Sequence, residues 1–228
     1  MIDINRVYNK VLLLANKDQR GYITPDEFNA YAHQAQLEVF ESYFIKKFQT
    51  EQAPMSEGDY SDITMNVAEK INEFQAGTGV LTGTDGRYTY PTDFYRLTNV
   101  TVNRRICDEV SHNKITYINL SPLTAPTVAQ PVMVRRSDGV EVFPNDLGTA
   151  EVRMDYLRQP VIPNWAHMAD PTGQPVYDMD SSTNFELHPS DEQELVWKIL
   201  YMAGVTIKQP DITQFGVQKD AELKGTEG

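Results

Sequence analysis

The chain has 228 residues and a formal net charge of −12, with a pI near 4.7. That length can bury a real core, as one domain or as one domain with an inserted module, and that charge argues against gripping the phosphate backbone of nucleic acid as a principal activity. One cysteine, Cys107, excludes an internal disulfide framework and points to a reducing compartment; no apolar run approaches the roughly 20 residues that span a bilayer, and the N-terminus lacks a signal-peptide pattern.

In chain order, residues 3 to 15 place Ile4, Val7, Val11 and Leu14 on one helical stripe, with Tyr8 and Leu12 beside it. The next stretch, NKDQRGYITPDEF, resembles a calcium-binding EF-hand loop. With Gly21 at loop position 6, Asn16 takes position 1, Asp18 position 3, Thr24 position 9 and Glu27 position 12. Arg20 then falls at position 5, where an oxygen ligand is required and a guanidinium offers no acceptor. The same letters also read as a helix start. Thr24-Pro25-Asp26-Glu27 is a capping box with proline at the first helical position.

From Pro25 to about Phe48, Phe28, Ala32, Ala35 and Val39 form one helical face, while Leu37, Phe40, Phe44 and Phe48 form a second. A helix apolar over that much of its circumference is central in a bundle or covered by another chain. After a polar linker, Ile63, Val67, Ile71 and Phe74 predict a third helix, ended by Gly77 and Gly79.

Between Thr78 and Pro163 glycine and proline punctuate short β-branched runs. GRYTYP, RLTNVTVNRR, PVMVRR, VEVFP and AEVRMDYLRQP are predicted strands, and Asp138-Gly139 is a predicted hairpin turn. SHNKITYINLSPL reads as a strand through Thr116 and Ile118 or as a short helix capped by Asn113, with the helix preferred. Residues 164 to 184 form a long irregular stretch of the kind that binds something. Helical signals resume at Ser190-Asp-Glu-Gln193, a second capping box, followed by Leu195, Ile199, Met202 and Ala203 up to Gly204. A last amphipathic helix runs from Asp211 through Ile212, Phe215, Lys219 and Leu223.

The expected fold is α+β, a bundle of N- and C-terminal helices with an inserted β-rich module. The parts are 1–77 (helical), 78–163 (β-rich), 164–184 (interaction loop) and 185–228 (helices returning to the bundle). Glycine-rich phosphate loops, GxSxG, HExxH and CxxC are missing from the sequence. His33, His112 and His188 stand alone, and Cys107 has no activating neighbour. His167, Asp170, Asp178 and Asp180 are the nearest approach to a cation site, without the spacing of a recognisable one. Tyr88, Tyr90, Phe94, Tyr95, Arg96, Arg104 and Arg105 interleave as a nucleic-acid platform would, although core packing and subunit contacts suit the charge better. No catalytic, cofactor or metal residue is assigned.

TYPTDFYRL (89–97), VEVFP with MDYLRQPVIPNW (154–165), NFELHPSDEQELVWKILYMAGVTIKQPDI (184–212) and the opening VLLLANKDQRGYITPDEFNAYAHQAQLEVFESYF together resemble small virion proteins of tailed bacteriophages, in particular crAss-like and related short-tailed phages. The resemblance is to head-to-tail connector proteins and covers most of the chain, as texture and order rather than as a catalytic signature. It implies a portal adaptor or ring protein of about twelve copies, closed by heterologous contacts. In such a virion, assembled in the host cytoplasm, the ring lies below the portal and meets further tail proteins, and DNA passes through it without specific binding. Two other classes stand beside this one: a calcium-responsive regulator built on residues 16–27, and a metal-dependent hydrolase built on His167 to Asp180.

Overall fold

The computed structural model describes residues 1–16, 23–52, 60–171 and 173–206. The loop at 17–22, most of the linker after the second helix and the helix expected from Asp211 lie outside the described residues, as does the side chain of Ile63. The chain is α+β and divides into two compact units, 1–71 with 160–228, and 72–159.

In the helical unit, α1 (Ile4–Asn16) starts where the Asp3 carboxylate accepts the Arg6 N–H at 2.7 Å. Its buried stripe is Ile4, Val7, Tyr8, Val11 and Ala15. Leu14, expected on that stripe, points outward, because the buried face drifts with the 3.6-residue turn onto Ala15. Helix α2 (Pro25–Gln52) opens on the expected capping box, with Glu27 accepting the Thr24 N–H at 3.0 Å and Thr24 Oγ1 accepting the Glu27 N–H at 3.3 Å. The face Phe28, Ala32, Ala35 and Val39 is fully buried, joined by Phe40 and Tyr43.

Helix α3 (Tyr60–Asn72) ends earlier than Gly77. Gln75–Gly77 instead forms strand β1, paired antiparallel with residues 155–157. The open hydrogen-bonding edge of that neighbour outweighs the local helical period, and Phe74 is buried outside any helix.

The β unit contains two four-stranded sheets. One has the order β1-β8-β3-β4, with β3 (Phe94–Val102), β4 (Arg105–Ile106) and β8 (Val152–Arg158). The other has the order β2-β7-β6-β5, with β2 (Arg87–Thr89), β5 (Asp108–Glu109), β6 (Val132–Arg135) and β7 (Gly139–Phe143). Leu97, Val100, Val102, Val152 and Met154 from the first sheet share one core with Tyr88, Met133, Val140 and Val142 from the second. The chain passes from one sheet to the other between β4 and β5, at buried Cys107, the kind of corner by which a strand joins packed sheets.

Turn chemistry differs from the sequence expectation in an informative way. The hairpin of β6 and β7 exists, but its loop is Ser137-Asp138, closed by the Arg136 N–H donating to Gly139 O at 2.8 Å. Gly139 serves close approach: a Cβ there would lie 2.0 Å from the Tyr88 carbonyl oxygen. Positive φ at both central residues, the mark of a type I′ turn, occurs at Asp85 (54°) with Gly86 (72°), and again at Asn103 (48°) with Arg104 (66°). The second pair closes the β3–β4 hairpin.

Helix α4 (His112–Leu120) takes Ser111 rather than Asn113 as its N-terminal flank, and of its expected apolar positions only Ile115 is buried. In the helical unit, the stretch 164–184 holds an antiparallel pair, β9 (His167–Ala169) and β10 (Pro175–Tyr177). It is anchored by a bridge between Asn164 and Thr183 and by the Asn29 amide, whose oxygen accepts the Trp165 N–H at 2.7 Å. Buried Gln36 ties both flanks, donating to Val161 O at 2.7 Å and accepting the Glu186 N–H at 3.2 Å.

Helix α5 (Glu192–Thr206) does not use the expected box at Ser190 and Gln193. A single 3-10 turn, Pro189–Asp191, precedes it, capped by the His188 ring, which accepts the Ser190 N–H at 3.2 Å. This frees Asp191 to turn inward, where it accepts from the Tyr43 hydroxyl and from Lys70 Nζ, each at 2.6 Å. Leu195, Ile199 and Ala203 are buried along α5, which continues through Gly204.

Candidate interaction surface

The second apolar face of α2 leaves the core by degrees. Phe40 is buried and meets Phe44 edge-on at 5.1 Å, Phe44 is half-buried, and Phe48 is 60% exposed. Ile45, three residues before Phe48, is also exposed, so the C-terminal part of α2 offers an apolar pair to solvent.

The β9–β10 hairpin is sided. His167 and Tyr177 face each other in register, and both rings stack on Trp165, at 5.6 and 5.7 Å. Trp165 in turn packs on Tyr8 at 4.2 Å and donates its indole N–H to Asn5 at 3.1 Å. Period-two alternation therefore sends the next cross-strand pair, Met168 and Val176, to the opposite face, where both are exposed. Met179, just beyond, is 79% exposed, and Val161 and Ile162 are exposed between two buried prolines, Pro160 and Pro163.

The β unit has its own surplus. Helix α4 buries Ile115 and turns Tyr117 and Leu120 outward, three residues apart on one face, with Leu123 at 95% exposure just after the helix. Ile106, on the edge strand β4, is exposed as well. Two units thus each carry apolar side chains outward from ordered backbone, beyond the scatter of single residues normal on a surface.

The residues singled out from the sequence do not converge. Asp170 closes the β9–β10 turn by accepting the Gln174 N–H at 3.0 Å, three residues along the strand from His167. Asp178 accepts the Asp180 N–H at 3.1 Å, and its hydrogen bond from the Ser181 side chain holds its carboxyl below the usual range. Asp180 is exposed on that turn. Among the described residues no three His, Cys, Asp or Glu side chains are grouped as metal ligands would be. Glu27, the twelfth position of the EF-hand reading, is turned back onto Thr24, and these hydrogen bonds lower its pKa. Asn16 ends α1, and Asp18 lies outside the described residues.

His112 is exposed at the start of α4, His188 caps the turn before α5, and His33 on α2 is half-buried with Nδ1 shut away from solvent. Burial, and then the neighbouring Asp108 charge, push the Cys107 thiol up to about 12. The aromatic run packs on itself: Tyr88 is in the core, Tyr90 stacks on Phe94 at 3.9 Å, and Phe94 reaches Tyr156 at 5.9 Å.

No protein-family model matches the chain, and no curated protein matches it in sequence. Among the described residues no helix is long and apolar enough to cross a membrane.

The sequence reading missed the Met168–Val176 pair and the outward face of α4. Both were detectable in principle: Met168 and Val176 flank Asp-Pro and Gly-Gln turn letters, and Tyr117 and Leu120 lie three apart, off the side of Ile115.

Proposed function

We propose that this chain is a structural, non-catalytic virion protein of a tailed phage, which assembles in the host cytoplasm into a ring at the head-to-tail interface. The ring lies below the portal and forms part of the channel through which DNA passes. The resemblance of the chain to connector proteins supplies the class. The observation that carries it is the pair of outward apolar faces, Met168 with Val176 on one unit and Tyr117 with Leu120 on the other.

A ring closed by heterologous contacts needs two different adhesive surfaces on each subunit, and these two are unlike in shape and belong to different units. A chain this acidic suits a DNA conduit, because repulsion between the wall and the phosphates keeps DNA moving. The partners on this reading are sister copies, the portal and further tail proteins.

The test is reconstitution of the full chain with purified portal rings, followed by imaging and native mass spectrometry. Wild type adds a ring of density to the portal. Met168→Asp and Tyr117→Asp, both at exposed positions, leave the thermal midpoint within about 2 °C of wild type and abolish the added ring. A chain that stays off the portal at every concentration refutes the proposal.

A further inference from the structure

Charge is distributed unevenly between the two units. The helical unit, 1–71 with 160–228, has eleven Lys and Arg against twenty-two Asp and Glu, whereas the β unit, 72–159, has nine against ten. Almost the whole negative excess therefore belongs to one unit. Within the nearly neutral β unit, four arginines are already matched to acids: Arg87 and Arg136 to Glu141, Arg135 to Glu109, and Arg153 to Glu151.

Arg96 and Lys114 have no ion pair among the described residues, but at the β3–β4 tip two arginines stand side by side. Arg104 is exposed and has neither an ion pair nor a side-chain hydrogen bond among the described residues. It occupies the second central position of its turn at φ 66°, where the equivalent turn at Asp85 uses Gly86. A side chain with a Cβ is disfavoured there, so the arginine is held against a backbone preference that the same chain respects elsewhere. The turn beneath it is braced from the side. Asn103 donates its N–H to Glu151 O at 2.9 Å, and its side-chain oxygen accepts the Glu151 N–H at 3.0 Å. Arg105 is fixed beside it by a 2.9 Å hydrogen bond to Ala129 O, and exposed Ile106 follows. Glu151, whose backbone braces the turn, has its carboxylate paired with Arg153 at 3.2 Å, so the tip presents an unneutralised guanidinium on a braced turn.

We propose that this tip, Arg104 with Arg105 and Ile106, docks on the acidic helical unit of a second copy of the chain. The inference rests on the ring reading and supplies it with one polar, direction-setting contact. A positive tip on the nearly neutral unit and a negative excess on the other favour head-to-tail over self-complementary pairing, because two tips repel each other and so do two acidic units. Duplex DNA, the competing polyanion, meets a protein whose total charge of −12 repels it.

The test uses the full-length protein in sedimentation velocity at low and high salt. Wild type self-associates at low salt and loses association as salt rises. Arg104→Gly raises the thermal midpoint by roughly a few degrees, because glycine accepts the turn, yet weakens self-association about tenfold or more, the scale of one lost charge-assisted contact. An arginine with only a solvation role raises the midpoint and leaves association unchanged, and that result overturns the proposal. In a mixture of isotope-labelled and unlabelled Arg104→Lys protein, a zero-length carbodiimide cross-link joins position 104 of one chain to an acid of the helical unit of another. Cross-links confined to one chain, or to acids of the β unit, overturn it too. So does wild type that remains monomeric at low salt, or a DNA-binding signal that depends on Arg104 while association does not. Each of these leaves the ring reading to its own portal test.

Discussion

Asp191→Ala should unlock the helical unit. The Asp191 side chain is buried, with 5% residual exposure, and receives two charge-assisted hydrogen bonds of 2.6 Å, from Tyr43 on α2 and Lys70 on α3. Lys70 also lies over the Tyr43 ring, 5.6 Å from its centroid, so one carboxylate ties three helices. Removing one member of a buried ion pair costs about 3–5 kcal/mol because the other charge is left in a poor solvent. The Lys70 side chain keeps some access to water, with 18% exposure, which places the expected loss near the lower end, about 3 kcal/mol. Tyr43→Phe, which removes one hydrogen bond to a charged acceptor, should cost about 1.5–3 kcal/mol. The double variant should fall short of the sum, since both changes delete the same bond.

Both tryptophans, Trp165 and Trp197, belong to the helical unit, so tryptophan fluorescence excited beyond the absorption of tyrosine reports on that unit alone in a urea titration. With a slope of about 1–3 kcal/mol per molar urea, the midpoint should fall by roughly 1–3 M at constant slope. A shift for Asp191→Ala below about 0.3 M, or strict additivity in the cycle, would show that the network does not hold the helices together.

Gly139→Ala should peel β2 from β7, because the new Cβ meets the Tyr88 carbonyl at 2.0 Å and backbone cannot swing aside as a side chain does; a loss of at least about 2 kcal/mol is expected, read as faster amide exchange across Arg87–Thr89 and Gly139–Phe143, and unchanged exchange there would contradict it. Cys107 in the native protein should react with a disulfide reagent at least about tenfold more slowly than an ordinary thiol, because burial shields the sulfur and pushes its pKa up to about 12, and should recover normal reactivity in denaturant; fast labelling of the folded chain would refute this. For Glu141, burial raises the pKa, but the Arg136 hydrogen bond and the charges of Arg136 and Arg87 outweigh it, so the folded value lies below the ordinary 4.5. A lowered folded value contributes stability above about pH 4.5 that is lost as pH falls through it; Glu141→Gln should flatten the acid limb of stability against pH, and an unaltered limb would count against the assignment. Calcium at millimolar concentration should give no heat in calorimetry and no shift in melting temperature, since Glu27 is engaged by Thr24.

Local order was legible in the letters alone. The capping box at Thr24, the buried face Phe28–Ala32–Ala35–Val39, the short helix after Ser111 and strands β2, β3, β6, β7 and β8 of the insertion follow from hydrogen bonds and side-chain periods that span a few residues. So did the α+β class, because helical and strand periods occupy separate stretches. What depends on partners far away in the chain was not legible. Gln75–Gly77 is a strand only because β8 offers an unpaired edge, and Ser190 forgoes its capping box because the His188 ring and the inward turn of Asp191 replace it. The outward face of the β9–β10 hairpin was fixed by Trp165, whose stacking claims one side of the ribbon and leaves Met168 and Val176 with the other. Sequence period states that an apolar face exists, but only the distribution of buried volume among packed elements decides which faces find cover within the chain and which remain exposed.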